Sequence, residues 1–276
     1  MNSNTLFSNI RLKKSYLCVG LDSTFEKIPE HLKKTERPVF EFNKQIIDAT
    51  AQYAVAYKPN LAFYECRGID GWKDLELTAE YIKTRYPDVF LIADAKRGDI
   101  GNTSKMYAKA FFENMNFDAV TVAPYMGEDS VAPFLGYKDK FIIILALTSN
   151  QGASDFQYFT SKYDKPLFTE VIEKSKTWGN SDNIMYVVGA TKAAMLETIR
   201  ENIPDHFLLV PGVGAQGGSL EEVSRFGMNK KCGLLVNASR SVIFASGEND
   251  FAEKAAAESQ ILQQQMEKLL RGSGIL

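Results

Sequence analysis

The chain has 276 residues, 45% of them hydrophobic and 24% charged, the balance of an ordinary globular protein with enough length for one large domain. A formal net charge of −2 and a pI near 5.9 argue against nucleic acid or an anionic membrane surface as a partner, so any phosphate must be held by a local pocket. The only two histidines, His31 and His206, rule out a three-histidine zinc site and leave acid–base chemistry mainly to carboxylates and lysines.

The N-terminal segment MNSNTLFSNIRLKKS lacks the long apolar stretch of a signal peptide. The longest apolar run, Phe141 to Leu147, is far too short to cross a bilayer. Cys18, Cys66 and Cys232 form no C-x-x-C pair and sit in or near apolar stretches. They read as buried free thiols in a reducing cytoplasm rather than as redox or metal groups.

Eight short apolar runs follow one another along the chain: Tyr16–Asp22, Ala54–Asn60, Val89–Lys96, Ala119–Tyr125, Phe141–Ser149, Ile184–Thr191, Phe207–Gly214 and Gly233–Arg240. They do not alternate apolar with polar residues, which marks strands buried on both faces, as in parallel sheets. Helical patterns separate them at Phe40–Tyr53, Asp74–Tyr86, Ser104–Met115 and Ala193–Ile203, and Asp250–Leu270 reads as a last helix. The long stretch from Gln151 to Asn183 is expected to hold a helix and a mobile loop. Its aromatic segment Asp155–Tyr163 suits either a lid or surface packing. Alternation of strand and helix calls for right-handed βα units. Eight of them predict an α/β fold of the (β/α)8 TIM-barrel type, one domain spanning residues 1–276.

Polar residues gather at the C-terminal ends of these runs: Asp22, Lys58 with Asn60, Asp94 with Lys96, Thr148 with Ser149, Gln216 and Arg240. In a closed barrel those ends open onto one face, where active sites lie. Asp94 and Lys96 are two apart on a strand and share a face, and Asp99 follows after a turn at Gly98. A salt-bridged strand end with Asn102 or Thr103 capping the next helix would satisfy the same pattern. Inward charges are costly unless paired, however, and Lys58 on the neighbouring strand extends the array. Arg67 and Arg97 read as structural charges.

The segment Asp94-Ala-Lys96-Arg-Gly-Asp99-Ile100-Gly-Asn-Thr103 resembles the D-x-K-x-x-D-I-x-x-T signature of orotidine 5′-monophosphate decarboxylases. Its fuller form, DAKRGDIGNT, is similar to the longer-chain subgroup, and the likeness runs from about Tyr16 to Ala245. The resemblance implies decarboxylation of orotidine 5′-monophosphate to uridine 5′-monophosphate, the last step of pyrimidine nucleotide synthesis, with no cofactor and no metal. It implies that Lys96 protonates C6, that Asp94 lies against the substrate carboxylate, and that Lys58 and Asp99 complete the charged network. Asp22 would bind ribose hydroxyls or orient Lys58. Asn60, Ile100 and Thr103 would join the substrate-binding set. A homodimer is implied, with Asp99 and Thr103 serving the partner's site.

The phosphate end has its own signal. Val210–Ser219 is glycine-rich, and Gly212, Gly214, Gly217 and Gly218 permit close approach and bare N–H groups. Arg240 ends the next run, and loops after strands seven and eight are the usual phosphate site of such barrels. The resemblance gives phosphate contacts to Gln216 and Arg240. It gives the pyrimidine to a serine after strand five, for which Ser149 is the first choice, with Thr148 and Asn150 beside it. Two other readings share the scaffold. Magnesium-dependent keto-sugar-phosphate decarboxylases and synthases carry an acidic residue near the end of strand two, where this chain has Lys58. A non-catalytic nucleotide-binding barrel would need neither Lys96 nor an inward charge network.

Overall fold

The computed structural model describes residues 1–160, 164–214 and 217–276. Its eight strands are β1 (Leu17–Leu21), β2 (Ala54–Pro59), β3 (Phe90–Arg97), β4 (Ala119–Val122), β5 (Phe141–Leu147), β6 (Ile184–Val188), β7 (Leu208–Pro211) and β8 (Leu234–Ala238). Each pairs in parallel with the next, and β1 pairs with β8 to close the barrel. Seven strands fall inside their apolar runs, and β3 overruns its own by one residue, at Arg97. The (β/α)8 expectation therefore holds, for the reason the runs gave: strands covered by side chains within and by helices without have no solvent face to mark with polar residues.

The expected helices are present with shifted ends, at Pro38–Thr50, Gly68–Arg85, Gly101–Lys109, Ala193–Asn202 and Phe251–Gly272. The third continues as a π-helical turn over Ala110–Asn114. Between Gln151 and Asn183 lie a short helix, Ala153–Phe156, and a longer one, Leu167–Ser175. Phe156 and Phe159 are exposed, whereas Tyr158 packs edge-on against Phe168. Tyr163, the end of that aromatic segment, lies outside the described residues.

Three helices carry weak sequence signals. Ser3–Lys13 buries only Leu6 and Ile10 among its apolar residues and depends on its caps. The Asn2 side chain accepts the Thr5 N–H, and Lys14 stops the helix in the left-handed conformation. Glu128–Leu135 contains Pro133, which reads as a breaker but sits in a helix of only eight residues. Leu220–Gly227 is short, and its start is fixed by Ser219, whose hydroxyl accepts the Glu222 N–H.

Buried tyrosines between barrel and helices keep their hydroxyls paired: Tyr16 with Ser224, Tyr57 with Thr50, Tyr64 with the Leu21 carbonyl, and Tyr186 with Ser175. Polar clamps close the N-terminal end of the barrel. Asp118 accepts from Lys83 and from the Leu91 N–H, and Arg200 donates to the carbonyls of His206, Gly227 and Gly233. Burial, aided by the Arg200 charge, lowers the His206 imidazole to about 4. His206 is therefore neutral at pH 7 and sits just before β7, at the end of the barrel opposite the polar strand ends. Cys18 and Cys232 are buried as expected. Cys66 is exposed instead, because it follows the short helix Ala62–Glu65 on a surface connection rather than lying in a strand.

Candidate active site

The C-terminal strand ends converge on a cleft of about 200 Å³ lined by Asp22, Lys58, Asn60, Asp94, Gly212, Val213, Asn237 and Arg240, among others. Gly20 lets the ends of β1 and β8 meet there, since a Cβ on it would stand 2.7 Å from the Ser239 Cβ. Five of the residues singled out in the sequence thus share one cavity, and Lys96 is tied to its edge.

The charges form a chain. Lys58 Nζ donates to Asp94 Oδ2 at 2.8 Å and lies 4.0 Å from Asp22 Oδ1. Lys96 Nζ donates to Asp94 Oδ1 at 2.7 Å. The Lys58 side chain is 5% exposed and that of Asp94 11%, whereas the Lys96 side chain is 49% exposed and does not itself line the cleft. Burial alone would lower the Lys58 pKa, but Asp94 and then Asp22 overcome it and raise the value above that of an ordinary lysine. Burial alone would raise the Asp94 pKa, but the Lys58 and Lys96 charges overcome it and hold the carboxyl well below the usual range. At neutral pH Asp94 is a fixed carboxylate between two ammonium groups.

The local backbone differs from the regular alternation that the Asp94–Lys96 spacing implied. β3 pairs with β4 at Ala93–Val120 and next at Arg97–Val122, so it bulges between those points. Lys96 lies in the left-handed region, φ 49°, which costs a non-glycine residue about 1–2 kcal/mol. The two side chains still meet, through that bulge rather than through the pleat. Such strain in a packed barrel is a mark of a functional position.

Asp99, Ile100 and Thr103 lie at the same end of the barrel but do not line the cleft. Asp99 Oδ1 accepts the Ile100 N–H at 2.7 Å, and Thr103 is exposed. Among the described residues no ion pair joins Asp99 to Lys58 or Lys96. After β5, the Thr148 hydroxyl donates to Asn150 Oδ1 and accepts from Gln157 Nε2, while its N–H donates to Gln157 Oε1. Thr148 is thus engaged within its own loop. Ser149 packs against Gly189, where a Cβ would fall 2.7 Å from the serine nitrogen.

The loop after β7 corrects the expectation of bare amides. The N–H groups of Gly214, Gly217 and Gly218 donate to the carbonyls of Gly218, Gly214 and Gly212. The glycines serve the shape of the loop, with Gly212, Gly214 and Gly217 at positive φ. Gln216 lies outside the described residues. Arg240 is exposed at the rim, and its guanidinium has no hydrogen-bond or ion-pair partner among the described residues. Arg67 and Arg97 are structural, as expected. Arg67 donates to the buried Asp74 at 2.7 Å, and Arg97 pairs with Glu65 and lies over the rings of Tyr107 and Phe111.

Two polar residues of the site escaped the sequence reading. Thr121 on β4 donates its hydroxyl to Asp94 Oδ1 at 3.0 Å and accepts the Lys96 N–H at 2.8 Å. Asn237 on β8 lines the cleft and accepts from the Cys18 thiol. Each is a lone polar side chain inside an otherwise apolar strand, and that interruption was the available signal. Among the described residues no group of three or more His, Cys, Asp or Glu is arranged to hold a metal ion, and no helix is long and apolar enough to cross a membrane.

Comparison with known proteins decides the family. Residues 15–255 match the profile described as orotidine 5′-phosphate decarboxylase / HUMPS family. The chain belongs to that family. An orotidine 5′-phosphate decarboxylase of Phocaeicola vulgatus is 60% identical over 270 residues, covering 98% of this chain and 99% of the relative. That of Porphyromonas gingivalis strain ATCC 33277 is 59% identical over 276 residues, covering both chains fully. The structure of Leishmania donovani OMP decarboxylase superposes with a TM-score of 0.80 at 36% identity, covering 96% of this chain and 100% of the other. Family membership makes the chain an enzyme of the lyase class, a decarboxylase on the barrel described above.

Proposed function

We propose that the chain decarboxylates orotidine 5′-monophosphate without a metal, and that Lys96 donates the proton that replaces CO₂ at C6. One observation carries this reading: the chain Asp22–Lys58–Asp94–Lys96 at the barrel mouth, in which a buried carboxylate holds the half-exposed Lys96 ammonium.

The chemistry needs such a group. When the C6–carboxylate bond breaks, its electron pair stays on C6 as an sp² carbanion that the ring cannot delocalise well, and CO₂ leaves neutral. A fixed cation at C6 stabilises the pair as it forms. The Lys96 ammonium is a compact charge that also carries the proton to be delivered. C6 takes that proton and Lys96 recovers one from solvent. Asp94 directs Lys96, and its position suits contact with the departing carboxylate. Lys58 supports the metal-free reading, because its ammonium neutralises Asp94 where a divalent cation would otherwise be needed. A divalent ion at this spot would meet two ammonium groups.

Other features fit the nucleotide. Asp22 Oδ1 is buried without a hydrogen-bond partner among the described residues, and a ribose hydroxyl would supply the missing donor. Arg240 is a rim cation suited to the phosphate, and the family resemblance assigns Gln216 to the same group. Because Thr148 is committed to Gln157 and Asn150, Ser149 remains the choice for the pyrimidine.

The proposal includes a shared site. Among the described residues Asp99 makes no ion pair with Lys58 or Lys96 of its own copy. Beside it at the same barrel end lie exposed Ile100, Met106, Tyr125 and Met126, an apolar surface of the kind that packs against a second copy. Asp99 and Thr103 then reach the partner's cleft. The test mixes two inactive variants, Lys96→Ala and Asp99→Ala, under conditions that exchange subunits, with exchange verified by a mass-tagged chain. Half the dimers become hybrids, each with one intact site, so activity on orotidine 5′-monophosphate is expected to rise from background to about a quarter of wild type. Background activity despite proven exchange contradicts the shared site.

A further inference from the structure

We propose that Thr121 is a positioning residue that sets Lys96 for proton delivery, taking the place of the ladder partner that the bulge in β3 removes; the inference rests on the reading of Lys96 given above. Between the pairs Ala93–Val120 and Arg97–Val122, four residue steps of β3 are matched by two of β4. Thr121 is the β4 residue facing that mismatch. A bulge strands backbone groups that a regular ladder would pair, and a buried N–H needs an acceptor.

The Lys96 N–H finds its acceptor in the Thr121 hydroxyl, at 2.8 Å. That hydroxyl has one proton, and it goes to Asp94 Oδ1 at 3.0 Å. The same carboxylate oxygen accepts from Lys96 Nζ at 2.7 Å. One hydroxyl therefore fixes the Lys96 backbone in its left-handed conformation and the carboxylate that directs its ammonium. Thr121 is fully buried and does not line the cleft, so it reaches the reaction only through Asp94 and Lys96. The rest of its strand, Ala119, Val120 and Val122, is apolar, and packing alone would be met equally well by valine.

The test compares Thr121→Val, which keeps the β-branched shape without the hydroxyl, with Thr121→Ser, which keeps the hydroxyl. T121V is expected to lose about 100-fold in kcat, the scale of a small misplacement of a reacting group, with KM for orotidine 5′-monophosphate little changed. T121S is expected to recover most of the loss. The double variant T121V with Lys96→Ala is expected to lose far less relative to K96A than T121V loses relative to wild type, because Thr121 acts mainly through Lys96. Should T121V fail to fold, Thr121→Cys, which offers only a weak donor and acceptor, is read in the same way. Wild-type kcat in the folded variant, a loss carried by KM, or an undiminished further loss on top of K96A overturns the inference. An inactive K96A beside a fully active T121V overturns this inference alone. Wild-type turnover by K96A overturns the proton-donor reading, and this inference with it.

Discussion

Lys96→Ala is expected to fold as the wild type does and to lose turnover of orotidine 5′-monophosphate by about 10⁴-fold or more. The fold survives because the Lys96 side chain is half exposed and fills no core volume. The left-handed backbone there is no worse for alanine than for lysine, and Asp94 keeps Lys58 as its partner. The activity does not survive because two effects leave together. Loss of a proton donor removes about 10²–10⁴-fold, and loss of a fixed electrostatic group in a closed site removes about 10²–10³-fold. Thermal melting beside single-turnover rates separates folding from chemistry. A K96A rate within tenfold of wild type would remove Lys96 from the role of proton donor.

Asp94→Asn is expected to harm both stability and activity. It leaves the buried Lys58 with Asp22 at 4.0 Å as its nearest counter-charge, and it releases Lys96 from the oxygen that directs it. Removing one partner of a buried ion pair costs about 3–5 kcal/mol. The pH dependence follows from the Asp94 carboxyl, whose folded-state pKa is held below that of the unfolded chain. Its contribution is fully present above the ordinary aspartate value of about 3.9 and is lost as pH falls through the depressed folded value. The stability gap between wild type and D94N is therefore expected to be largest near neutral pH and to shrink on acidification below that value. Denaturant unfolding across the pH range measures the gap. Equal stability of the two proteins at pH 7 would mean that Asp94 is not the keystone of the charge chain.

The barrel was legible because each strand is a continuous apolar run and a helical pattern separates most of the runs. Nothing in their composition had to be weighed against tertiary context. The charged residues were legible for the opposite reason, since an Asp or Lys at the end of such a run has no cheap structural explanation. What escaped reading was detail set by the backbone. The bulge at Lys96 depends on how β3 pairs with β4, and no local residue pattern announces it: the segment holds no glycine before Gly98. Thr121 was hidden because a hydroxyl in a β-branched residue is an ordinary strand former, and its partner is 27 residues away in sequence. The loop after β7 was read correctly as glycine-rich and wrongly as a set of free amides. Glycine there makes the tight turn possible, and the turn then uses those amides itself.

The Asp99 assignment shows the same division. A glycine turn after Lys96 allows Asp99 to leave the Lys96 side of the cleft, and among the described residues it makes no ion pair with Lys58 or Lys96. The proposal that it serves a second copy rests on the exposed Ile100, Met106, Tyr125 and Met126.

The central claim is that a lysine held by a buried carboxylate performs the decarboxylation with no metal. The most direct measurement follows the ultraviolet absorbance of the orotidine ring after the purified chain, exhaustively treated with chelator, is mixed with orotidine 5′-monophosphate. The account predicts conversion to uridine 5′-monophosphate at the rate of untreated protein. Loss of activity on chelation that magnesium restores, or no conversion under either condition, would contradict it.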